Sequence, residues 1–365
     1  MRPNLDLPRW TRDALIAALL FALACLAFPP RTVHAQPAQT VGLQLPSFKV
    51  PNEAQPLDVA LWYPTAAAQP DQPFKAGSWE LPVAFRAAPL AAKPLPLVVI
   101  SHGAGGSRFG HHALAHYLAR SGWLVAALDH RGDSWNDQSD QGQYAVWARR
   151  PQQVTALLDA LLADSQWKPL IDPNRIVVLG HSAGGYTAAA LVGGVPSFAQ
   201  VLTHCLNVFS GAARDGFCGF SGRTGLSPEA AAKRLAEAQE AAKRPYPPLA
   251  DARIKGALLM APAGVPLDHP AGLAGINRPV VVIAAERDGL IAEAFNLDVY
   301  RRIPGVQVHA IADTNHYSFL DPFPADVAAL LPPQMRAQLA SPAFAQTLQA
   351  ALFPRILQAL NAMLP

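Results

Sequence analysis

The sequence predicts an α/β protein whose central, mostly parallel sheet is covered by helices on both faces. Short, continuous Val, Ile and Leu runs such as "LVVIS" and "RIVVLG" are typical of strands that are buried on both faces. Helical patterns separate these runs, as expected where parallel strands need crossover connections. With 365 residues, of which 51% are hydrophobic, the chain can bury a large core. Because only 15% of the residues are charged, a disordered or nucleic-acid-binding chain is not expected.

The predicted elements alternate regularly after an early strand, "LDVALWYP". Two proline-rich connections follow this strand, and strands and helices then alternate up to the C-terminus. Crossovers in parallel sheets are right-handed, so the carboxyl ends of the strands should line one crevice. The sequence predicts strands at 57–64, 97–101, 123–130, 175–180, 256–262, 278–288 and 306–313. It predicts helices at 111–122, 152–165, 186–194 and near 293–302, and a C-terminal helical stretch that ends with "RILQALNAML".

The first 35 residues differ from the rest and predict a secretory signal peptide. Three arginines precede the apolar run 14–28, and the small residues of "TVHA" precede Gln36. A retained membrane anchor is the alternative, but the run is short for a full span. We therefore expect cleavage after Ala35, an exported (periplasmic or extracellular) chain over 36–365, and no stable membrane anchor. Removing the segment lowers the formal net charge from +3 to +1, so an anionic partner is not implied.

Two cysteines, Cys205 and Cys218, remain in the expected mature chain. In an oxidising compartment, cysteines this close together more often pair than stay free, so we favour a disulfide over two buried thiols. In the chain-entropy model, closing a loop of this size adds about 3 kcal/mol of stability. No metal-ligand spacing surrounds the pair, and no metal is expected.

One stretch, about 211–253, interrupts the alternation of strands and helices. It contains a helical pattern that begins at Pro228 and that Ser227 can cap. Leu235 is almost its only large apolar residue, so this helix cannot lie in the core. The insertion is interpreted as a small surface cap near the entrance of a site, and a solvated excursion is the alternative.

The stretch "LGHSAGG" contains a G-x-S-x-G pattern between a predicted strand and a predicted helix. A sharp turn at this point would hold the serine in a strained conformation and leave no room for side chains at its glycine neighbours. Ser182 would then project from the carboxyl edge of the sheet at a helix N-terminus, whose free N–H groups favour negative charge. A serine in an ordinary glycine-rich turn is the alternative, and the flanking strand and helix favour a nucleophile.

A serine nucleophile needs a base to take its proton and an acid to orient that base. When the nucleophile lies on such a turn, the acid and then the histidine follow it along the chain. His316 lies in a loop after the last predicted strand and is favoured over His309, which lies within that strand. Asp288 is favoured over Glu286 as the acid because the residue nearer the loop can reach across, and Asp268 is a weaker candidate.

The chemistry also needs N–H donors for the oxyanion of a tetrahedral intermediate. The backbone N–H of Ala183, directly after Ser182, is one candidate. The glycine-rich loop after the strand 97–101 supplies the other, which is the N–H of Ala104. This loop matches neither the G-x-G-x-x-G pattern nor the phosphate-binding loop with its lysine, so no dinucleotide or other cofactor is expected.

On these residues the chain resembles an α/β-hydrolase, and more narrowly the exported branch near dienelactone hydrolases and platelet-activating-factor acetylhydrolases. The resemblance covers 57–320 and rests on "ALWYP", "VVISHGAGGSRFG", "RIVVLGHSAGG", "VVVIAAERDGL" and "TNHYSF". It implies an α/β-hydrolase fold in which Ser182, Asp288 and His316 form the triad. It also implies an oxyanion hole at Ala104 and Ala183. Dienelactone hydrolases carry a cysteine where this chain has its serine, which favours ordinary ester cleavage.

The resulting hypothesis is an exported serine carboxylesterase-type hydrolase that forms an acyl-enzyme on Ser182 and takes a small-molecule ester. A serine peptidase or amidase would use the same triad, and a non-catalytic binding protein on a hydrolase fold is the third possibility. No nucleic-acid partner is expected, and the oligomeric state is left open. The segment 129–147 and the insertion are expected to form the pocket rim, with Trp135, Tyr144 and Trp147 as pocket residues or as loop packing residues.

Overall fold

The strands follow the predicted order in the structure, a computed structural model that describes residues 40–90, 93–221 and 228–365. The predicted signal peptide and the predicted cap residue Ser227 lie outside the described residues. Runs rich in β-branched residues form the strands because extended backbone lets these side chains pack on a pleated surface. The strands are β1 (Thr40–Gln44), β2 (Ser47–Phe48), β3 (Leu57–Thr65), β4 (Phe74–Ala76), β5 (Trp79–Leu81), β6 (Ala84–Phe85), β7 (Leu95–Ser101), β8 (Leu124–Leu128), β9 (Ile171–His181), β10 (Ile254–Met260), β11 (Val280–Ala285) and β12 (Gln307–Ile311).

The helices form from segments between the strands that carry an apolar face or small residues. They are α1 (His112–Arg120), α2 (Val146–Ala163), α3 (Ala183–Leu191), α4 (Phe198–Phe209), α5 (Pro228–Ala241), α6 (Leu297–Arg301), α7 (Ala325–Leu330), α8 (Pro333–Arg336) and α9 (Pro342–Ala362). Short 3-10 helices lie at 168–170, 216–221, 265–267, 293–295 and 316–319.

Ten of the strands form one sheet in the order β12–β11–β10–β9–β7–β8–β3–β1–β6, with β2 paired to β3. The six strands from β12 to β8 are parallel to one another. In contrast, β3 pairs antiparallel with both β8 and β1. The predicted mostly parallel sheet is thereby confirmed. β9 lies in the interior of the sheet, between β7 and β10. The residue that follows β9 therefore lies at the crevice formed by the carboxyl ends of the strands.

Helices cover both faces of this sheet, as predicted. On β9, Val178 belongs to the apolar cluster that includes residues of α2, α3 and α4. The next residue, Leu179, belongs to the cluster that includes residues of α1 and α9. Successive side chains of a strand point to opposite faces, so a strand covered on both sides must be apolar at every position. This explains the continuous apolar runs of the sequence.

Two of the predicted helices have different bounds in the structure, and α4, α7 and α8 are not predicted. Helix α2 begins at Val146, six residues earlier than predicted, and contains Pro151. Proline usually marks a helix boundary because it lacks an N–H group and disfavours helical backbone at the preceding residue. Here the carbonyl of Trp147, which lacks its helical donor because of Pro151, accepts a hydrogen bond from the Tyr186 hydroxyl. The predicted helix at 293–302 is a 3-10 turn followed by the short α6.

The insertion is exposed along α5 and anchored at its beginning. Leu235 in α5 keeps 39% of its surface in solvent, in line with the polar composition of that helix. Near the start of the insertion, Cys218 forms a disulfide with Cys205 of α4, with the two Cα atoms 5.5 Å apart. None of the described helices combines the length and the apolar character needed to cross a membrane.

Candidate active site

Ser182 occupies a strained turn between β9 and α3. Its backbone φ of 56° and ψ of −119° lie in a region that residues with a side chain rarely adopt. Two hydrogen bonds hold the turn. The Ser182 N–H donates to the Met260 carbonyl at 2.9 Å, and the Ala263 N–H donates to the Ser182 carbonyl at 3.1 Å. The end of β10 and the loop after it therefore keep the serine in this conformation.

Only glycine fits on either side of this turn. A Cβ atom at Gly180 would lie 1.9 Å from the carbonyl oxygen of Gly184, and one at Gly184 would lie 1.9 Å from the carbonyl oxygen of Ser101. Both distances are far below van der Waals contact, so either side chain would force α3 away from the sheet. The sequence predicts this crowding at the neighbours of the serine.

Ala183 and Ala104, the residues of the two predicted N–H donors, line the same cavity as Ser182. Ala183 is the first residue of α3, where N–H groups have no acceptor within the helix. Neither N–H group has a hydrogen-bond acceptor in the part of the chain that the structure describes. The following N–H in the loop, that of Gly105, instead donates to Asp133 at 3.0 Å. Two unpaired donors at a helix N-terminus suit a negative charge that develops beside Ser182.

His316 and Asp288 are in direct contact. His316 Nδ1 lies 2.8 Å from Asp288 Oδ2, and the histidine side chain is 2% exposed. The other carboxylate oxygen of Asp288 accepts hydrogen bonds from the N–H groups of Leu290 and Ile291 at 3.1 and 3.0 Å. These bonds fix the carboxylate toward the imidazole. With Nδ1 donating to the carboxylate, Nε2 can accept a proton.

The other candidate acids and the other candidate base lie in different environments. Glu286 accepts a hydrogen bond at 3.0 Å from a backbone N–H of the loop after β12. Asp268 forms an ion pair with Arg302 at 2.8 Å, and His309 is exposed on β12. Over the described ranges, none of the three candidates forms a hydrogen bond with His316.

His181 connects the loop of His316 to the serine turn. His181 Nε2 donates to the carbonyl oxygen of His316 at 2.9 Å, and the centroids of the two rings lie 4.9 Å apart. Burial lowers the pKa of His181 well below its ordinary value, and the nearby His316 lowers it further, so the imidazole stays neutral. Because His181 directly precedes Ser182, this hydrogen bond brings the His316 loop next to the turn.

Among the described residues, neither the Ser182 hydroxyl nor His316 Nε2 has a hydrogen-bond partner. Contacts between a serine and its base are often long in the absence of substrate and tighten when the substrate binds. Ser182 is 8% exposed and His316 is 1% exposed. A bound substrate would therefore close a site that is already largely shielded from water.

The cavity at Ser182 is small and mostly apolar. Its volume is about 50 Å³, on the order of four water molecules. Trp147 and Phe217 stack in its wall with ring centroids 5.6 Å apart. Val201 and Ile291 complete the apolar side. The insertion thus contributes Phe217 to the wall.

Of the aromatic residues in the predicted rim, Trp147 lines this cavity. Trp135 is 64% exposed and lies on the surface. Tyr144 stacks on Tyr246 with ring centroids 4.3 Å apart, and the Tyr246 hydroxyl donates to the carbonyl of Tyr144 at 2.7 Å. Tyr144 is therefore a loop packing residue that ties the segment after β8 to the end of the insertion.

The structure adds a buried ion pair that sequence analysis does not predict. Arg150 lies 2.6 Å from Asp133 beside the cavity, and both side chains are almost fully buried. Burial lowers the pKa of Arg150, and the carboxylate of Asp133 opposes this effect. Arg150 directly precedes Pro151, a position that predicts a helix boundary rather than a buried side chain. No group of three or more His, Cys, Asp or Glu side chains in the described ranges is arranged to hold a metal ion.

A mostly parallel sheet with a serine on the sharp turn after an interior strand, beside an Asp–His pair from two later loops, is the arrangement of the α/β-hydrolase fold. The Hydrolase_4 family model, described as serine aminopeptidase, S33, matches residues 92–207. The platelet-activating factor acetylhydrolase of Bos taurus is 28% identical over 154 residues, which are 30% of this chain and 35% of that protein. The match thus spans about a third of the relative's length.

Two solved structures share the fold over most of the chain. A ferulic acid esterase from Streptomyces cinnamoneus has a TM-score of 0.57 at 20% identity and covers 93% of this chain and 92% of its own. A dienelactone hydrolase-like promiscuous phosphotriesterase from metagenomic libraries has a TM-score of 0.50 at 16% identity and covers 88% of this chain and 99% of its own. The chain therefore has the α/β-hydrolase fold that the sequence resemblance implies.

Proposed function

We propose that this chain is an exported serine hydrolase that cleaves carboxylic esters through an acyl-enzyme on Ser182. One observation carries the proposal. Ser182, Ala104 and Ala183 line one cavity, and the serine hydroxyl and the N–H groups of the two alanines lack a partner in the described part of the chain. The contact between Asp288 and His316 next to the same turn supports it. So do the likenesses to an acetylhydrolase and to a ferulic acid esterase.

Acylation begins when Ser182 Oγ attacks the ester carbonyl carbon and His316 Nε2 takes the hydroxyl proton. Asp288 stabilises the imidazolium and keeps Nδ1–H directed toward itself. The carbonyl oxygen becomes an oxyanion and accepts hydrogen bonds from the N–H groups of Ala104 and Ala183. When the tetrahedral intermediate collapses, the alcohol leaves with the proton from His316 Nε2, and the acyl group stays on the serine.

Deacylation repeats the same steps with water as the nucleophile. His316 takes a proton from the water as its oxygen attacks the acyl-enzyme carbonyl, and the same two N–H groups stabilise the second oxyanion. Ser182 then leaves the intermediate and regains its proton from His316. One water molecule is consumed for each ester bond that is broken, and the products are a carboxylic acid and an alcohol.

The size of the cavity favours short acyl groups. A volume of about 50 Å³ accommodates an acyl chain of a few carbons against the wall that the stacked rings of Trp147 and Phe217 form. A longer chain would have to displace one of these rings, and each methylene that fails to fit costs roughly 1–3 kcal/mol of transition-state binding. We therefore assign acetate-sized and propionate-sized esters as the preferred substrate class.

Amide cleavage is the second candidate, because the matched family model is described as a serine aminopeptidase. An aminopeptidase needs a group that binds the substrate ammonium, and a carboxylate is the usual choice. Asp133 is the carboxylate at the cavity, and it is already paired with Arg150 at 2.6 Å. This pairing favours esters over peptides.

Export is part of the proposal and rests on the first 35 residues. Arg2, Arg9 and Arg12 match the charged part of a signal peptide, and the apolar run 14–28 matches its hydrophobic part. The disulfide between Cys205 and Cys218 fits an oxidising compartment. The mass of the protein isolated from the periplasm or the medium tests the cleavage, which is expected directly before Gln36.

The activity is tested with p-nitrophenyl acetate and the variant Ser182→Ala. Turnover is expected to fall by at least about 10³-fold, because the nucleophile is lost while the oxyanion hole remains. Ser210→Ala, at the exposed end of α4, is the matched control and should retain full activity. Unchanged turnover in Ser182→Ala would overturn the proposal. Faster cleavage of the p-nitroanilide of the same acyl group than of its ester would favour the amidase.

A further inference from the structure

A buried ion pair near Ser182 connects α2, the loop after β8, the loop after β7 and α3. Arg150 in α2 and Asp133 in the loop after β8 are each 1% exposed, and Arg150 Nη1 lies 2.6 Å from Asp133 Oδ2. Because burying two charges carries a large desolvation penalty, such a pair is weak evidence for stability. Its contacts with the proposed oxyanion hole suggest a different reason for its presence.

The pair holds the loop of Ala104 from both sides. Arg150 Nη2 donates to the carbonyl of His102, two residues before Ala104. The N–H of Gly105, one residue after it, donates to Asp133 Oδ1 at 3.0 Å. The peptide groups before and after the one that carries the Ala104 N–H are thus both fixed. The direction of that N–H group is therefore set by the ion pair.

The same pair reaches the second proposed donor through α3. Arg150 Nε donates to Thr187 Oγ1 at 3.1 Å. The Thr187 hydroxyl in turn donates to the carbonyl of Ala183 at 3.0 Å. Ala183 carries the other N–H of the proposed oxyanion hole. A single guanidinium group therefore contacts both elements on which the two donors lie.

We propose that Arg150 and Asp133 are positioning residues that fix the N–H groups of Ala104 and Ala183 relative to each other, and so determine how strongly the site stabilises an oxyanion. This inference rests on the proposed function. An oxyanion hole works when its donors already lie at hydrogen-bond distance from the place where the charge develops. The planar guanidinium suits this role because its N–H groups donate in fixed directions, whereas a lysine ammonium has no such fork.

Two conservative variants test the pair in the mature chain. Arg150→Lys keeps the positive charge and loses the fork, and Asp133→Asn keeps an acceptor oxygen and loses the negative charge. For p-nitrophenyl acetate we expect kcat to fall by about 10–100-fold in each variant, with KM changed less than about threefold. Affinity for a boronic acid that mimics the tetrahedral intermediate should fall by the same factor as kcat. The number of active sites is measured by end-point fluorophosphonate labelling, and kcat is calculated per labelled site. Misfolded protein therefore does not lower kcat.

Two further variants keep the test decisive. Thr187→Val removes the hydroxyl that links the guanidinium to α3 and keeps the branched shape, so it should fold even where the ion-pair variants do not. Its kcat is expected to fall by about 3–10-fold. The matched control is Arg253→Lys, because Arg253 forms an ion pair of the same length with Asp251, at 2.6 Å, and does not line the cavity. It should keep wild-type kcat per labelled site.

The outcomes separate this inference from the proposed function. Wild-type kcat per labelled site in Arg150→Lys and Asp133→Asn, with only a lower melting temperature, would assign the pair a structural role and overturn the inference. If neither variant folds, a wild-type kcat in Thr187→Val overturns it. A parallel loss of kcat and boronate affinity supports it. If the wild-type protein neither hydrolyses esters nor labels at Ser182, the proposed function fails first and the inference fails with it.

Discussion

Single residues carry most of the chemistry that we propose. Ser182 has φ of 56°, and its strain is maintained by hydrogen bonds to β10 and the loop after it. Asp288 is fixed by two backbone N–H groups and contacts His316, which it orients in the proposed mechanism. The positions of this acid and this base follow from the sequence, because each lies in the loop directly after a strand with a clear apolar pattern. Their contact does not follow, because it depends on the path of two loops.

Replacing Asp288 with asparagine tests the orientation of the imidazole. Asp288→Asn keeps the size of the side chain but can donate to Nδ1 and so favours the wrong tautomer of His316. We expect kcat for p-nitrophenyl acetate to fall by about 10³–10⁴-fold, with an unchanged circular dichroism spectrum. Glu286→Gln, directly after β11, is the control, and its kcat should stay within about twofold of the wild-type value. A fall of less than about tenfold in Asp288→Asn would show that another group orients the base.

The elements determine which of these residues meet. Parallel strands β7, β9 and β10 bring the Ala104 loop, the serine turn and the Ala263 loop to one edge of the sheet. Helix α2 adds Arg150 and Trp147 because it begins at Val146, before Pro151. The sequence does not predict that the helix begins before Pro151, because proline usually limits a helix. The hydrogen bond from the Tyr186 hydroxyl to the Trp147 carbonyl, which supplies the donor that Pro151 lacks, forms only in the folded chain.

The cavity wall formed by Trp147 and Phe217 is expected to limit the length of the acyl group. In Trp147→Ala the ratio of kcat/KM for p-nitrophenyl hexanoate to that for the acetate should rise at least about tenfold, because the lost ring makes room for several methylenes. The ratio does not depend on the fraction of folded protein. Trp135→Ala removes a 64% exposed tryptophan from the same segment and should leave the ratio unchanged. An unchanged ratio in Trp147→Ala would show that the acyl chain lies elsewhere.

At the scale of the whole molecule, the apolar pattern predicts the sheet because strands covered on both faces can be apolar throughout. The sequence analysis predicts β3 but not β1 and β6, because β1 has only five residues and β6, at the edge of the sheet, has only two. The cavity is not predictable, since Val146, Val201, Phe217 and Ile291 come from four distant segments. Sequence patterns report local structure, and the wall is a product of long-range packing.

Buried neutral histidines beside the site make the stability of the fold depend on pH. Burial, and then the nearby Arg150, lowers the pKa of His102 and of His130 well below the ordinary value. The pKa of His181 is also well below it, through burial and then His316. Between the folded pKa and the unfolded value of about 6.5, the unfolded chain binds more protons than the folded chain. The contribution of these histidines to stability is therefore complete above about pH 6.5 and is lost as the pH falls below it.

Urea unfolding between pH 8 and pH 5 checks this expectation. The free energy of unfolding should change little from pH 8 to pH 7 and then fall below pH 6.5, by up to about 1.4 kcal/mol per pH unit for each histidine. His130→Gln should reduce that slope by about one histidine's share. His309→Gln changes an exposed histidine on β12 and should leave the slope as it is. A free energy of unfolding that is constant down to pH 5 would contradict the account.

The central claim is that Ser182 is an activated nucleophile, and labelling of the mature protein with a fluorophosphonate tests it most directly. The phosphonate phosphorus takes the place of the ester carbonyl carbon, so its capture requires the serine, its base and the oxyanion donors together. The account predicts one adduct per chain, mapped by peptide mass spectrometry to Ser182 and absent from Ser182→Ala. A folded protein that forms no adduct, or an adduct that persists on another serine in Ser182→Ala, would contradict it.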